Sequence, residues 1–193
     1  VDREAGRLIL TANRAEGARP VVGISVRDWC GWTQYKEVLA QAADEIVRTY
    51  GARVVFLPMQ FPEDVRAAES VAARMQEPYT VLPGEYTTAE LLSLVGNMDL
   101  MIAVRLHALI FAGVMGVPLI GISYDPKIDR FLDSIGEQPV GKLDTLTAPV
   151  LLAAVREKWE HRRAIRQHNA ALLKKQRGLA ARNAELAIEL LEK

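Results

Sequence analysis

Short, solidly apolar runs alternate along this chain with longer stretches in which apolar residues recur every three or four positions. The first run, Val21-Val22-Gly23-Ile24-Ser25-Val26, reads as a buried strand. A Trp-rich loop follows, then a helical pattern from Tyr35 to Tyr50, with Gly51 where a helix C-cap belongs. Arg53 to Leu57 predicts a second strand, stopped by Pro58. Pro62 to Met75 predicts a helix with proline and acidic residues in its first turn. Tyr79 to Leu82 predicts a short third strand. Thr87 or Thr88 caps a helix running to Val95, with Glu90 placed for a capping box. Leu100 to Val104 is a fourth strand, Leu106 to Met115 a helix, and Pro118 to Ile122 a fifth strand. Asp125-Pro126 then opens a helix that ends near Ile135 and Gly136.

Strands alternating with helices at these lengths are βαβ units. They predict an α/β, Rossmann-like parallel sheet covered by helices on both faces, with right-handed crossovers and strand order 3-2-1-4-5. The expected division is a lead or linker over 1–20, the sheet domain over 21–146 and C-terminal helices over 147–193. Those helices read as two, broken somewhere between Lys158 and Arg177, with Leu151, Leu152 and Val155 as a packing stripe. The run Ala108 to Ile122 is strongly apolar but is interrupted by Gly113, Gly116, Pro118 and Gly121. It is too short and too broken for a membrane span.

Composition narrows the function classes. Lys+Arg and Asp+Glu each total 24, so no overall field favours nucleic acid. Local charge is less even: Arg156 to Arg177 carries eight basic residues against two glutamates. That stretch reads either as a solvated helix face or as a surface attracted to an anionic membrane or partner. One cysteine, Cys30, excludes an internal disulfide and a multi-Cys zinc site. The charged start Val1-Asp2-Arg3-Glu4 has no apolar stretch of a signal peptide, and the expected location is cytoplasmic. G-x-G-x-x-G, Walker A, H-E-x-x-H and G-x-S-x-G patterns are all missing from the sequence.

In an open α/β sheet ligands sit beyond the carboxyl ends of the strands. The residues there are Arg27-Asp28-Trp29 after strand one, Arg105-Leu106-His107 after strand four, and Ser123-Tyr124-Asp125-Pro126-Lys127 after strand five. With strands one, four and five adjacent, Arg27, Arg105, His107 and Lys127 face one crevice at two helix N-termini, a setting that favours a phosphate or a carboxylate. Each also has a plainer reading. Arg105 can pair with a nearby carboxylate, His107 can be a packed core histidine, and Lys127 can be a surface lysine. Trp29 and Trp32 read as packing residues, although a loop tryptophan at a binding edge can also stack on a sugar.

The long run from Arg105-Leu106-His107 through Gly116-Val117-Pro118 to Tyr124-Asp125-Pro126-Lys127-Ile128 resembles the polysaccharide pyruvyl transferase family. Gly23-Ile24-Ser25-Val26-Arg27-Asp28-Trp29 and Met59-Gln60-Phe61-Pro62-Glu63-Asp64-Val65 are similar to it as well. The resemblance covers roughly Val21 to Ile135. It implies a two-domain architecture of the GT-B glycosyltransferase type, of which this chain is the C-terminal half and lacks the N-terminal half. It implies transfer of pyruvate from phosphoenolpyruvate to two hydroxyls of a sugar, giving a cyclic ketal, with no metal or cofactor. His107 matches the family's general acid and Lys127 its donor-binding lysine. Arg105 is assigned to the donor or to orienting His107, and Arg27 is added from strand order alone. In the branch of the family with the most similar motifs, the acceptor is N-acetylmannosamine of a lipid-linked secondary cell-wall polymer precursor. That polymer, once pyruvylated, anchors S-layer proteins. The isolated half is then expected to be inactive. Competing readings are a nucleotide-sugar glycosyltransferase of the same architecture and a non-enzymatic interaction or membrane-surface module.

Overall fold

The computed structural model describes residues 2–15 and 17–191, with side chains of the last helix described through Ala170 and at Leu173. In chain order the elements are α1 (Glu4–Ala12), β1 (Val21–Ser25), α2 (Gln34–Tyr50), β2 (Arg53–Phe56), α3 (Glu63–Ala72), β3 (Tyr79–Val81) and α4 (Thr88–Gly96). They continue with β4 (Leu100–Ala103), α5 (Leu106–Met115), β5 (Leu119–Ser123), α6 (Pro126–Ser134), β6 (Gly141–Lys142) and α7 (Ala148–Leu191). The six strands form one parallel sheet in the order β3-β2-β1-β4-β5-β6. This is the expected Rossmann-like order with one short edge strand added.

Side chains alternate across the strands, so each face of the sheet has its own core. Val22, Ile24, Val54, Phe56, Ile102 and Ile122 pack under α2, α3 and the start of α7. Val21, Val55, Met101, Ala103 and Leu119 pack under α1, α4, α5 and α6. The local stop and start signals act as the sequence predicts. Gly51 adopts φ 59° to end α2, Thr87 and Glu90 form a reciprocal capping box on α4, and the Asp125 side chain caps α6 ahead of Pro126.

Three features differ from the sequence reading. The lead segment contains a helix, α1, which lies against α4. The Gly6 amide donates to the Ser93 hydroxyl at 2.7 Å, and Leu10 is buried. Gly6 and Leu10, one turn apart, are buried and Ile9 packs partly against the same core, a stripe too short to show as periodicity. The C-terminal region is a single helix rather than two, because no Gly or Pro lies between Lys158 and Arg177 to break it. Leu151, Val155 and Trp159, each four residues on from the last, bury its first turns. Farther along, the Arg166 guanidinium donates to the carbonyls of Gly96 and Met98 at 3.0 and 2.9 Å, tying α7 to the open end of α4. The third difference is β6, two residues pairing with Ile122 and Ser123. Part of the positive charge of residues 156–177 lies on side chains outside the described residues. Among the described residues, no helix is long and apolar enough to cross a membrane.

The α1–α4 contact is sharply testable. A Cβ at Gly6 would fall 2.4 Å from the Ser93 carbonyl carbon, whereas one at Gly113 meets only the Phe131 ring at 3.7 Å. Gly6→Ala should therefore cost about 1–3 kcal/mol through overpacking. Gly113→Ala, in a helix interior with room, should gain roughly 0.5–1 kcal/mol. Urea unfolding midpoints of the two variants against wild type check the opposite signs.

Candidate active site

All strands run the same way, so the loops leaving β1, β4 and β5 emerge together at one edge of the sheet. The β1 loop is fixed first. Tyr35, almost fully buried, donates its hydroxyl to the Arg27 carbonyl, and burial pushes that phenol well above its ordinary pKa. Lys36, buried in α2, pairs with Asp28 and donates to the Ser70 hydroxyl at 3.2 Å. With its backbone pinned, Arg27 projects across to the β5 loop. Its guanidinium donates to the Tyr124 hydroxyl at 2.8 Å and lies 4.7 Å from the Trp29 ring centroid and 5.2 Å from that of Tyr124. The two rings themselves pack 4.6 Å apart.

Lys127 meets the same tyrosine. Its ammonium is 5.6 Å from the Tyr124 centroid and 3.5 Å from the Asp125 carboxylate. The Lys127 amide donates to Asp125 at 2.9 Å, and this bond, reinforced by the ammonium, holds the Asp125 carboxyl below the usual carboxylate range. Arg27 and Lys127 are thus brought together around Tyr124 as sequence reasoning expected of the two loops. Tyr124 itself was named only as part of the loop. The signal available for it was an aromatic residue directly before a helix N-cap, at the end of a buried strand.

His107 stands in the first turn of α5, just past β4, which lies between β1 and β5. It is exposed, so the packed-core reading does not apply. Its ring lies 6.4 Å from that of Phe111, and neither ring nitrogen has a hydrogen-bond partner among the described residues.

Arg105 behaves differently from the other cations. It turns toward the β2 side and forms a two-pronged pair with Asp64, through Nη2 to Oδ1 and through Nε to Oδ2 at 2.8 Å. Its Nη2 also donates to the Gln60 side chain at 3.0 Å. The plainer reading of this arginine, a pair with a nearby carboxylate, is what the fold contains. Asp64, at 1% exposure, additionally accepts the Met59 and Gln60 amides at 3.0 Å each. One carboxylate therefore folds the β2–α3 loop and locks the residue directly before α5. In the sequence only the family-like run from Met59 to Val65 contains this residue, and its role stays hidden there because an acid in the first turn of a helix is ordinary on dipole grounds alone. Beside this loop, Pro58 to Phe61 and Gly84 to Tyr86 line a cavity of about 230 Å³.

Removing the carboxylate leaves Arg105 and two amides without their partner. Asp64→Ala should destabilise the fold by about 3–5 kcal/mol, the usual cost of breaking a buried ion pair from one side. Thermal or urea denaturation measures it.

Comparison with known proteins places this geometry. The sheet and its helices are similar to a family 9 glycosyl transferase from Veillonella parvula, with TM-score 0.63 and 15% identity over 82% of this chain and 51% of that one. They are also similar to MnaA of S. aureus, solved with UDP, with TM-score 0.62 and 9% identity over 83% of this chain and 42% of that one. The C-terminal domain of the group 1 glycosyl transferase LpcC from Francisella tularensis matches over 91% of this chain and 97% of its own, with TM-score 0.62 and 14% identity. These likenesses establish a GT-B-like Rossmann fold, and the chain spans about half the length of the first of these proteins and less of the second. No curated protein sequence matches significantly. The polysaccharide pyruvyl transferase family model matches residues 13–126, taking in Arg27, Asp64, Arg105 and His107 and ending one residue before Lys127. By that match, over more than half its length, the chain belongs to the polysaccharide pyruvyl transferase family.

Proposed function

We propose that this chain is the donor-binding half of an enzyme that transfers pyruvate from phosphoenolpyruvate to a glycan. The observation that carries the reading is the pair of cations around Tyr124, Arg27 and Lys127, on the same sheet edge as an exposed imidazole in a helix first turn. Phosphoenolpyruvate carries a phosphate and a carboxylate, and both are suited to cations and to the free N–H groups of α5 and α6. Arg27 and Lys127 hold these groups. Arg105, neutralised by Asp64, acts as a positioning residue that sets the start of α5 and so the direction of His107.

The proposed chemistry balances without a metal or redox partner. His107, as imidazolium, protonates the methylene carbon of the enol, which becomes the methyl group. The adjacent carbon, now electrophilic, is attacked by one sugar hydroxyl, and phosphate departs. A second hydroxyl closes the ketal ring. Two hydroxyl protons are released overall, one ending in the methyl group by way of His107 and one on phosphate. Helix dipoles stabilise the departing anion.

The acceptor proposed from the family resemblance is an N-acetylmannosamine unit of a lipid-linked cell-wall polymer precursor, destined for S-layer anchoring. A lipid-linked acceptor places the enzyme at the cytoplasmic face of a membrane, where the basic stretch of α7 contributes attraction to anionic lipid. The isolated half is proposed to bind donor but not to turn over.

In the enzyme containing both halves, His107→Ala should lower kcat by about 10²–10⁴-fold while the protein stays folded. Rates near wild type would remove the general-acid role. On the 193-residue chain, phosphoenolpyruvate at a hundredfold excess over its Kd should add about 2.7 kcal/mol of stability, seen as a rise in Tm. Lys127→Ala should abolish that rise. Stabilisation by a UDP-sugar instead would support the glycosyltransferase reading.

A further inference from the structure

Ser25, the last residue of β1, is wholly buried, and its hydroxyl has no hydrogen-bond partner among the described residues. Arg53 and Arg166 also have a buried nitrogen without a partner, but each donates through another. Arg53 reaches the Arg19 carbonyl at 3.5 Å, and Arg166 the carbonyls of Gly96 and Met98. The serine side chain has a single polar atom, and it goes unmatched. Alanine would fill the same strand position without that penalty, so the hydroxyl calls for a function.

The pleat and the register fix where it points. Val22, Ile24 and Val26 enter the core under α2, whereas Val21 and Ser25 turn to the opposite face, which α5 covers with Ala108 and Leu109. Ser25 stands opposite Ala103, two residues before the N-cap of α5, and its carbonyl accepts the Val104 amide at 2.9 Å. The hydroxyl therefore faces the start of α5. That helix has ten residues and no side-chain cap, because its N-cap residue is Arg105, a donor already paired with Asp64.

The combination selects a ligand chemistry. Leading helix N–H groups are donors only, at the positive end of a dipole, and a serine hydroxyl adds one donor more. Together they suit the oxygens of an anion. A phosphoryl group has three oxygens directed apart, so it can accept from the helix turn and from the strand beside it at once. A carboxylate has two, and Arg27 and Lys127 on the flanking loops suit it.

We infer that Ser25 is a phosphoryl-binding residue, donating its hydroxyl to an oxyanion seated on the first turn of α5. That this oxyanion is the phosphate of phosphoenolpyruvate rests on the pyruvyl-transfer reading, whereas the oxyanion site itself does not. The departing phosphate then lies on the same turn that carries His107. Because β1 lies between β2 and β4, the Arg105–Asp64 pair bridges the loops on either side of Ser25. The oxyanion reaches the hydroxyl by an outward shift of the β4–α5 turn.

Ser25→Ala tests the role on the 193-residue chain through two readouts. Tm is measured without ligand, and binding of inorganic phosphate, phosphoenolpyruvate and UDP is measured by titration calorimetry. The variant should melt at or above the wild-type Tm, since the hydroxyl makes no bond that the fold would lose. It should bind phosphate and phosphoenolpyruvate about tenfold more weakly, the loss of one hydrogen bond to a charged group. A lower Tm would overturn the inference by showing that the hydroxyl serves the fold. Unchanged affinities, or a wild-type chain that binds none of the three compounds, would overturn it as well. Weakened phosphate binding, with phosphoenolpyruvate held no tighter than phosphate or with UDP preferred, would support the oxyanion site and defeat the pyruvyl-transfer reading alone.

Discussion

In a parallel sheet every strand enters from one edge, so every strand-to-helix loop must leave at the other. With β4 hydrogen-bonded between β1 and β5, the loops after these three strands cannot avoid one another. The sheet thereby sets Arg27, His107 and Lys127 along a common edge, and it also points the first turns of α5 and α6 there. Both the cations and the helix dipoles reach that edge through the same geometric constraint. Burial of the strands on both faces holds the constraint in place, since a one-residue slip would send each core side chain to the wrong face.

Within that frame, two polar arrangements divide the work. Around Asp64, charge is internally satisfied: one buried carboxylate takes up the Arg105 guanidinium and two backbone amides. This is a join between the β2 and β4 loops, and it turns Arg105 away from Arg27 and Lys127. Around Tyr124, charge is only partly matched. Arg27 is oriented by two aromatic faces and one phenolic oxygen, and Lys127 lies against the same tyrosine with the Asp125 carboxylate 3.5 Å away. A cation held over a ring keeps most of its donor capacity for a ligand. The contrast separates a buried, fully matched charge cluster from a more exposed one held by aromatic contacts.

At the β5–β6 edge the charge is of another kind. Asp125, Asp129 and Asp144 line a cavity there together with Trp32, Ser123 and Lys142. Tyr124 belongs both to this wall and to the contact that holds Arg27 and Lys127.

The sequence by itself determined five of the strands, the helices between them with their caps, and the family, because hydrophobic period, capping chemistry and an extended motif are all local signals; the strand order was an expectation from fold rules that only the pairing in the structure decided. Val21 to Ser25, Thr87 with Glu90, and the run from Arg105 to Lys127 were legible for that reason. Helix α1 was not, since an inward face of Gly6, Ile9 and Leu10 is too short to make a visible period. The unbroken α7 was missed because the lack of a breaker is a weaker signal than the presence of one. Only the tertiary structure decided that Arg105 is matched by Asp64, forty-one positions away. It likewise decided that Tyr124 joins Arg27 to Lys127, and that Trp32 meets Asp129 and Asp144 across a cavity. Side-chain pairing between loops depends on distances through space, and no spacing along the chain encodes those distances.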